Sequence, residues 1–107
     1  MDATDTPLTV RASAPSGPYL HLDNRALIIY DGRGVVMFPH GSYMWLSETL
    51  KVLAVEKRAT RQQGPNVFGG FTHEDGSATL FAGTVHHLVT VEVGARELTE
   101  IAAKLER

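Results

Sequence analysis

The C-terminal stretch Ala95–Arg107 carries the pattern that most constrains the fold. Its apolar side chains fall at positions i, i+3, i+4 and i+7 and form one stripe: Leu98, Ile101, Ala102 and Leu105. Glu97 lies in the first turn and Lys104 in the last, where each complements the helix dipole, and Gly94 is an acceptable N-cap. A helix of about a dozen residues is marginal alone. We therefore expect a helix over residues 95–106 that docks on a sheet.

Length and composition bound the class of protein. A chain of 107 residues with 43% apolar and 21% charged residues is typical of one globular domain. It contains no cysteine, no apolar run of about 20 residues and no signal-peptide pattern at its acidic N-terminus. A net charge of −2 argues against strong generic attraction to nucleic acid or anionic lipid. We expect a cytoplasmic domain with neither nucleic acid nor a membrane as partner.

The N-terminal part divides at residue 18. Residues 1–18 are mostly polar or small and hold three of the five prolines, which predicts a flexible tail whose one strand-like run is Leu8–Arg11. From residue 19 onwards, β-favouring runs alternate with turn residues. We expect three strands, Tyr19–Asp23, Ala26–Tyr30 and Val35–Phe38, with turns at Asp23–Arg25 and Asp31-Gly32.

The dipeptide Asp75-Gly76 predicts a tight hairpin in the C-terminal half. A two-residue turn there joins two short strands, Phe71–Glu74 and Ser77–Ala82. That turn sets three facing pairs: Glu74 with Ser77, Phe71 with Leu80, and Gly70 with Phe81. An aromatic ring lying across a strand glycine covers exposed backbone.

The following strand, Thr84–Val93, carries a histidine on its apolar side. That side holds five residues: Val85, His87, Val89, Val91 and Val93. A turn centred on Gly83-Thr84 would place His87 near Leu80 and Phe71. We expect the stripe of the C-terminal helix to cover this face. If it packed on the face of Leu88 instead, His87 would be free as a polar handle or general base of a pocket.

The segment Tyr43–Arg61 is compatible with two structures. A helix would place Leu50, Leu53, Ala54 and Lys57 on one face, but Val52 and Val55 would then lie opposite, beside charged residues. A strand over Leu50–Glu56 has two β-branched valines but does not alternate cleanly. We favour the strand. A helix would indicate an α+β sandwich that dimerises through its sheet.

No spacing in the chain amounts to a catalytic, metal-binding or nucleotide-binding signature, and no internal repeat is visible. Adjacent residues of a strand point to opposite faces, so His86 and His87 cannot chelate one ion together. There is no Gly-x-Ser-x-Gly elbow, and the glycine clusters lack the remainder of a phosphate-binding motif. We expect no catalytic residue, no metal and no cofactor.

Two surface clusters are further candidates. An apolar and aromatic cluster surrounds a Pro-His-Gly loop and contains residue types that are enriched in interfaces: Phe38, Tyr43, Met44 and Trp45. Positive charge concentrates at Lys57, Arg58 and Arg61, with Lys51 nearby. We expect the first cluster to bind a partner if Met44 and Trp45 are exposed, and the second to be a solvated strand end rather than a binding patch.

The order of elements resembles the small bacterial pleckstrin-homology-like domains, in which bent antiparallel strands precede one C-terminal helix. Two segments carry the resemblance: Leu46–Glu56 (LSETLKVLAVE), as the strand leading into the second half, and Thr84–Val93 running into Arg96–Leu105. The resemblance implies an interaction module, and some such relatives bind lipid headgroups. The turns at Asp23–Arg25 and Asp31–Gly34 lack the basic cluster of those lipid-binding members.

The sequence therefore predicts an α+β, mainly β domain over residues 19–107. Its antiparallel hairpins would form a roll or partly open barrel capped by one C-terminal helix. We expect a non-enzymatic protein-interaction or adaptor module with a protein partner, acting through an exposed aromatic surface or a sheet edge, and a homo-oligomer is compatible with it. The alternative is a small ligand-binding protein or enzyme with an apolar pocket around His87.

Overall fold

A computed structural model describes residues 7–11 and 17–106 of the chain. These residues form eight strands, two α-helices and a short 3-10 helix, His40–Ser42, just before the first α-helix. In chain order the strands and α-helices are β1 Leu8–Arg11, β2 Tyr19–Leu22, β3 Ala26–Tyr30, β4 Val35–Pro39, α1 Tyr43–Glu56, β5 Arg58–Gln63, β6 Asn66–Thr72, β7 Ala78–Thr84, β8 His87–Val93 and α2 Ala95–Leu105. β1 to β4 make a first antiparallel sheet and β5 to β8 a second, each in sequential order. Of the predicted tail over residues 1–18, part lies outside the described residues, and β1 is an edge strand paired with β2.

The α+β, mainly β class is confirmed, and the element order repeats. Four antiparallel strands precede α1, and four more precede α2. The turn after the second strand of each half is built around an aspartate: Asp23 accepts a hydrogen bond from the Arg25 backbone N–H, and Asp75 accepts one from that of Ser77. The two halves share the order of their strands and helix but not their amino-acid sequence, so the repeat is not visible in the sequence. Neither helix is long and apolar enough to cross a bilayer.

The C-terminal helix is confirmed and covers the expected face of the second sheet. Its N-terminus is closed by the Glu97 carboxylate, which accepts a hydrogen bond of 2.8 Å from the Gly94 backbone N–H. Ile101 and Leu105 are buried in the same core as three valines of β8, Val89, Val91 and Val93. Burial of this stripe supplies the stability that an isolated helix of this length lacks.

The strand favoured over Leu50–Glu56 is wrong, because these residues belong to α1. The buried side chains of this helix follow a 3-4-3 spacing that begins earlier: Tyr43, Leu46, Leu50 and Leu53. Val52 and Val55 are exposed, so the outward valines concealed an amphipathic pattern. Lys57, in a left-handed conformation with φ 71°, ends the helix. The segment Leu46–Glu56, on which the pleckstrin-homology resemblance partly rested, is therefore helical.

Three aromatic rings join the two sheets to α1 inside the core. Phe38 of β4 lies 5.9 Å from Phe68 of β6, ring centroid to ring centroid, at an edge-to-face angle. The indole of Trp45 lies 5.8 Å from Phe38 and 6.4 Å from Phe68. Such pairs add about 0.5–1.5 kcal/mol each beyond the burial of their area. The two sheets therefore share one core.

The hairpin between β6 and β7 differs from the predicted register by one residue. The His73 backbone N–H donates to the Ser77 carbonyl over 2.8 Å, so the turn holds three residues and ends at Gly76, which has φ 88°. Phe71 consequently faces Thr79 rather than Leu80, and Phe81 faces Gly69. A shift of one residue moves every side chain to the other face. Phe71 therefore lies on the outer face.

The hairpin between β7 and β8 turns at Val85-His86, two residues later than predicted, with Thr84 facing His87. This changes the pairing by an even number of residues, so Val89 and Val91 keep the predicted face, while Val85 becomes exposed. Where the sheets meet, the Thr90 backbone N–H donates to the Asp31 carboxylate over 3.3 Å.

Candidate functional site

The predicted pocket around His87 does not form. Leu80 is fully buried on the inner face of the second sheet, whereas Phe71 is 45% exposed on its outer face. His87 is exposed at the start of β8, and its ring lies so close to Gly34 that a Cβ there would clash with it. The three residues face three different environments. The cause is the one-residue difference in the hairpin register, together with the later turn before β8.

The predicted aromatic surface is mostly core. Phe38 and Tyr43 are buried, Trp45 packs against the core, and only Met44 is well exposed. The Tyr43 hydroxyl donates to the Asp23 carbonyl over 2.7 Å. Burial, with a smaller contribution from the nearby Asp23 carboxylate, raises the pKa of Tyr43 to about 12. This phenol is a structural hydrogen-bond donor.

An open groove lies between the start of α1 and the end of α2. Met44, Ser47 and Glu48 line one side and Leu105 the other, and an ion pair of 3.2 Å between Lys51 and Glu106 crosses it. The ammonium group of Lys51 and the carboxylate of Glu106 thus neutralise each other. No set of polar groups converges on a point within it, so the groove carries no chemistry of its own.

The predicted basic cluster is divided by the edge strand β5. Arg61 points toward α1, where its guanidinium donates to the Glu48 carboxylate over 3.2 Å. Arg58 lies on the opposite, outer side, in register with Phe71. Among the described residues no carboxylate forms an ion pair with Arg58. Its guanidinium is therefore available to an external anion.

Neither helix covers the outer face of the second sheet, on which Val67 and Thr79 are nonetheless buried. Its side chains form three cross-strand rows: Arg58, Phe71, Thr79 and Glu92; Thr60, Gly69, Phe81 and Thr90; Gln62, Val67, Gly83 and Leu88. Phe71 is exposed and Phe81 is half-buried, with its ring against Gly69, where a Cβ would lie 2.8 Å from the ring tip. The face thus presents two aromatic rings, with the cation Arg58 on one edge strand and the carboxylate Glu92 on the other.

A hydrogen-bonded cluster occupies one corner of this face. The Thr79 hydroxyl donates to Glu92 Oε1 over 2.7 Å, and His73 Nε2 lies 2.9 Å from the same hydroxyl. Because the one hydroxyl proton goes to the carboxylate, His73 Nε2 carries the proton that it donates to Thr79. The His73 ring stands edge-on to Phe71 at 5.4 Å. These contacts fix the side chains that surround the exposed phenylalanine.

The outer face of the first sheet is a second aromatic surface. Tyr19 and Tyr30 are cross-strand neighbours whose ring centroids lie 5.3 Å apart. His21 in the next row has Nδ1 3.0 Å from the Thr9 hydroxyl and Nε2 3.3 Å from Asp23. Backbone N–H groups of Arg25 and then Ala26 hold the pKa of the Asp23 carboxyl below its ordinary value. Both sheets therefore expose aromatic rings with a histidine–carboxylate pair alongside.

Comparison with known proteins gives a likeness in fold. No protein-family model and no curated protein matches the chain. A solved structure described as "Structure of a guideRNA-binding protein complex bound to a gRNA" is similar with a TM-score of 0.61, at 12% sequence identity. The likeness covers 94% of this chain and 86% of that one. At this identity it shows a shared fold.

This finding corrects the function and partner expected from the sequence. The sequence predicts a protein-interaction or adaptor module, or alternatively a small ligand-binding protein or enzyme with a pocket around His87, and argues against nucleic acid as a partner. The structure that shares the fold is described as a guide-RNA-binding protein complex. Of the expected aromatic surface only Met44 is well exposed, and the residues of the expected pocket lie apart. A net charge of −2 does not exclude a nucleic-acid ligand, because stacking of bases on aromatic rings does not depend on net charge.

Proposed function

We propose that this chain binds single-stranded nucleic acid, RNA in the first instance, on the outer face of the second sheet. The observation that carries the proposal is the pair of aromatic rings, Phe71 and Phe81, on a sheet face that neither helix covers. Single-strand-binding proteins place successive bases on such rings and guide the backbone with positive charge. Arg58 supplies that charge at the sheet edge. The likeness in fold to a guide-RNA-binding protein supports RNA as the first ligand to test.

The charge distribution favours a single strand over a duplex. A net charge of −2 and few cations on this face give weak attraction to a rigid double helix, whose binding depends mainly on phosphate contacts. A single strand can instead turn its bases onto Phe71 and Phe81. Stacking contributes about 1–3 kcal/mol per base. Base stacking therefore contributes most of the proposed binding free energy. The cytoplasmic location expected from the sequence stays a prediction.

The test compares two exposed apolar side chains on opposite sides of the molecule. Binding of a fluorescein-labelled 12-nucleotide RNA is measured by fluorescence anisotropy for the wild type, Phe71→Ala and Val55→Ala. Val55 is exposed on α1, far from the proposed face. We expect Phe71→Ala to weaken binding by roughly 5- to 150-fold, the equivalent of one lost stacking contact, and Val55→Ala to leave it unchanged.

A duplex of the same sequence provides the second arm. We expect it to bind at least about tenfold more weakly than the single strand, because its bases are not free to stack. Equal affinity for duplex and single strand would overturn the proposal. So would equal binding by Phe71→Ala and the wild type.

A further inference from the structure

The cluster beside Phe71 contains a carboxylate, which is an unusual group on a surface proposed to bind a polyanion. Glu92 is 71% exposed, and its position is fixed because Oε1 accepts the Thr79 hydroxyl and Oε2 lies 3.4 Å from His73 Nε2. Each oxygen retains a further lone pair that can accept another donor. A carboxylate repels phosphate, so a strand lying on this face is expected to present a base, not its backbone, to Glu92.

Only one common base matches what this carboxylate can accept. An ionised carboxylate is an acceptor with two oxygens and donates nothing. Guanine carries two adjacent donors on its Watson–Crick edge, N1–H and the N2 amino group. Adenine and cytosine each carry one donor beside a ring nitrogen that accepts, and uracil carries one donor between two carbonyl oxygens. A bidentate contact with Glu92 is therefore available to guanine alone.

The spacing of the cross-strand row that contains Phe71 and Glu92 allows one base to stack on Phe71 and contact Glu92 at the same time. Phe71, Thr79 and Glu92 lie on three adjacent strands in one cross-strand row. Adjacent strands are about 4.8 Å apart, and Glu92 reaches back over Thr79, so its carboxylate lies roughly 5–7 Å from the Phe71 ring. A guanine stacked on the exposed side of Phe71 spans that distance with its Watson–Crick edge. Arg58, on the opposite side of Phe71 in the row, lies where the adjoining phosphate would pass.

We propose that this corner is a guanine-selective subsite, in which Phe71 stacks the base, Glu92 accepts from its N1–H and N2 amino groups, and Arg58 contacts the adjoining phosphate. The Thr79 hydroxyl and His73 position the carboxylate before the ligand arrives. The inference rests on the proposed binding of single strands. A bidentate contact to a base typically gives about 5- to 150-fold higher affinity for the matching base than for another base. Because Glu92 is exposed to solvent, we expect the lower part of that range.

The test uses four labelled RNA 12-mers that differ at one central position in a uridine background. The position holds uridine, guanosine, inosine or 7-deazaguanosine. We expect guanosine and 7-deazaguanosine to bind about 5- to 20-fold more tightly than uridine, because N7 is not contacted. Inosine, which lacks the N2 amino group, should fall between guanosine and uridine. Equal binding of guanosine and inosine would overturn the bidentate contact without any variant being needed.

Glu92→Gln then assigns the preference to the carboxylate. We expect this variant to lose the preference for guanosine and to keep or slightly raise its affinity for the all-uridine strand. Glu100→Gln, a matched change on the exposed side of α2, should behave as the wild type. If Glu92→Gln kept the preference, or lost binding to every strand, the subsite would be wrong. If no strand bound the wild type, the proposed function itself would fail.

Discussion

The contact between Asp31 and Thr90 predicts how the two sheets are held together outside the core. The Asp31 side chain is only 4% exposed. Oδ1 accepts hydrogen bonds from the backbone N–H groups of Arg33 and Gly34, at 2.9 and 3.1 Å, and closes the turn between β3 and β4. Oδ2 accepts the N–H of Thr90, an edge-strand donor of the second sheet, over 3.3 Å. One carboxylate thus serves a turn and a junction between sheets.

Asp31→Asn removes the junction and keeps the turn. Asparagine has one acceptor oxygen, so if that oxygen holds the turn, its amide NH2 faces the Thr90 N–H donor to donor. A hydrogen bond to a charged group contributes about 1.5–3 kcal/mol, and the length of this one indicates the lower end. We expect a loss of about 1.5 kcal/mol in the free energy of unfolding. With an m-value of about 1–3 kcal/mol/M, the urea midpoint should fall by roughly 0.5–1.5 M.

Asp75→Asn is the matched control. Both hydrogen bonds of the Asp75 carboxylate, from the Ser77 backbone N–H and hydroxyl, go to one oxygen, so asparagine can keep them. Its loss should stay below about 0.5 kcal/mol, as for other surface changes. The measurement is urea unfolding followed by circular dichroism at pH 7. Equal midpoints for the two variants would refute the argument that Asp31 joins the sheets.

The same carboxylate gives a pH dependence with a definite sign. The Arg33 backbone N–H, followed by those of Thr90 and Gly34, holds the pKa of Asp31 below its ordinary value of 3.8, against the opposing effect of burial. A carboxyl with a lowered pKa in the folded state stabilises the fold above its unfolded pKa and loses that contribution as the pH falls through the folded value. The difference in stability between wild type and Asp31→Asn should therefore be full at pH 7 and shrink below pH 3.8.

Two further predictions concern the sheet face itself. Gly69→Ala should cost about 3 kcal/mol of stability or more, because the added Cβ would overlap the Ala59 backbone carbonyl oxygen and also press on the Phe81 ring. Gly41→Ala, with no atom within 4 Å of its Cβ, should change stability by less than about 0.5 kcal/mol. Thermal or urea unfolding measures both. Arg58→Gln should reduce the slope of log affinity against log salt concentration by about 0.7, the value of one released counterion on a single strand. Arg96→Gln on α2 should leave that slope unchanged.

The sequence predicted elements whose cues are local. The stripe of α2, the turn at Asp31-Gly32 and the strand Ala26–Tyr30 are all found in the structure. Each depends on residues within one turn or one face. The helix α1 was missed because its buried stripe starts at Tyr43, while the outward Val52 and Val55 suggested a strand. Whether those valines are exposed depends on how the helix packs in the folded chain, which the local sequence does not show.

The candidate site could not be predicted for a related reason. Its key residue, Phe71, changes face if the hairpin turn holds two residues or three, and Asp75-Gly76 is compatible with both turns. Only the pairing along the full length of β6 and β7 decides between them. The sequence did contain a signal for a nucleic-acid-binding surface, because strand segments carry a basic residue, Arg58, and two aromatic residues, Phe71 and Phe81. Without the register of β5, β6 and β7, the sequence does not show that these three residues lie on one face of the sheet.

Chemical-shift mapping by NMR tests the proposed interface most directly. Unlabelled uridine-rich RNA with one guanosine is titrated into the ¹⁵N-labelled chain, and the backbone amide shifts are followed. We predict that the largest changes fall on the outer face of the second sheet, at Arg58, Thr60, Phe71, Phe81 and Glu92. Changes concentrated on α1 and α2, or confined to the face of the first sheet, would contradict the account.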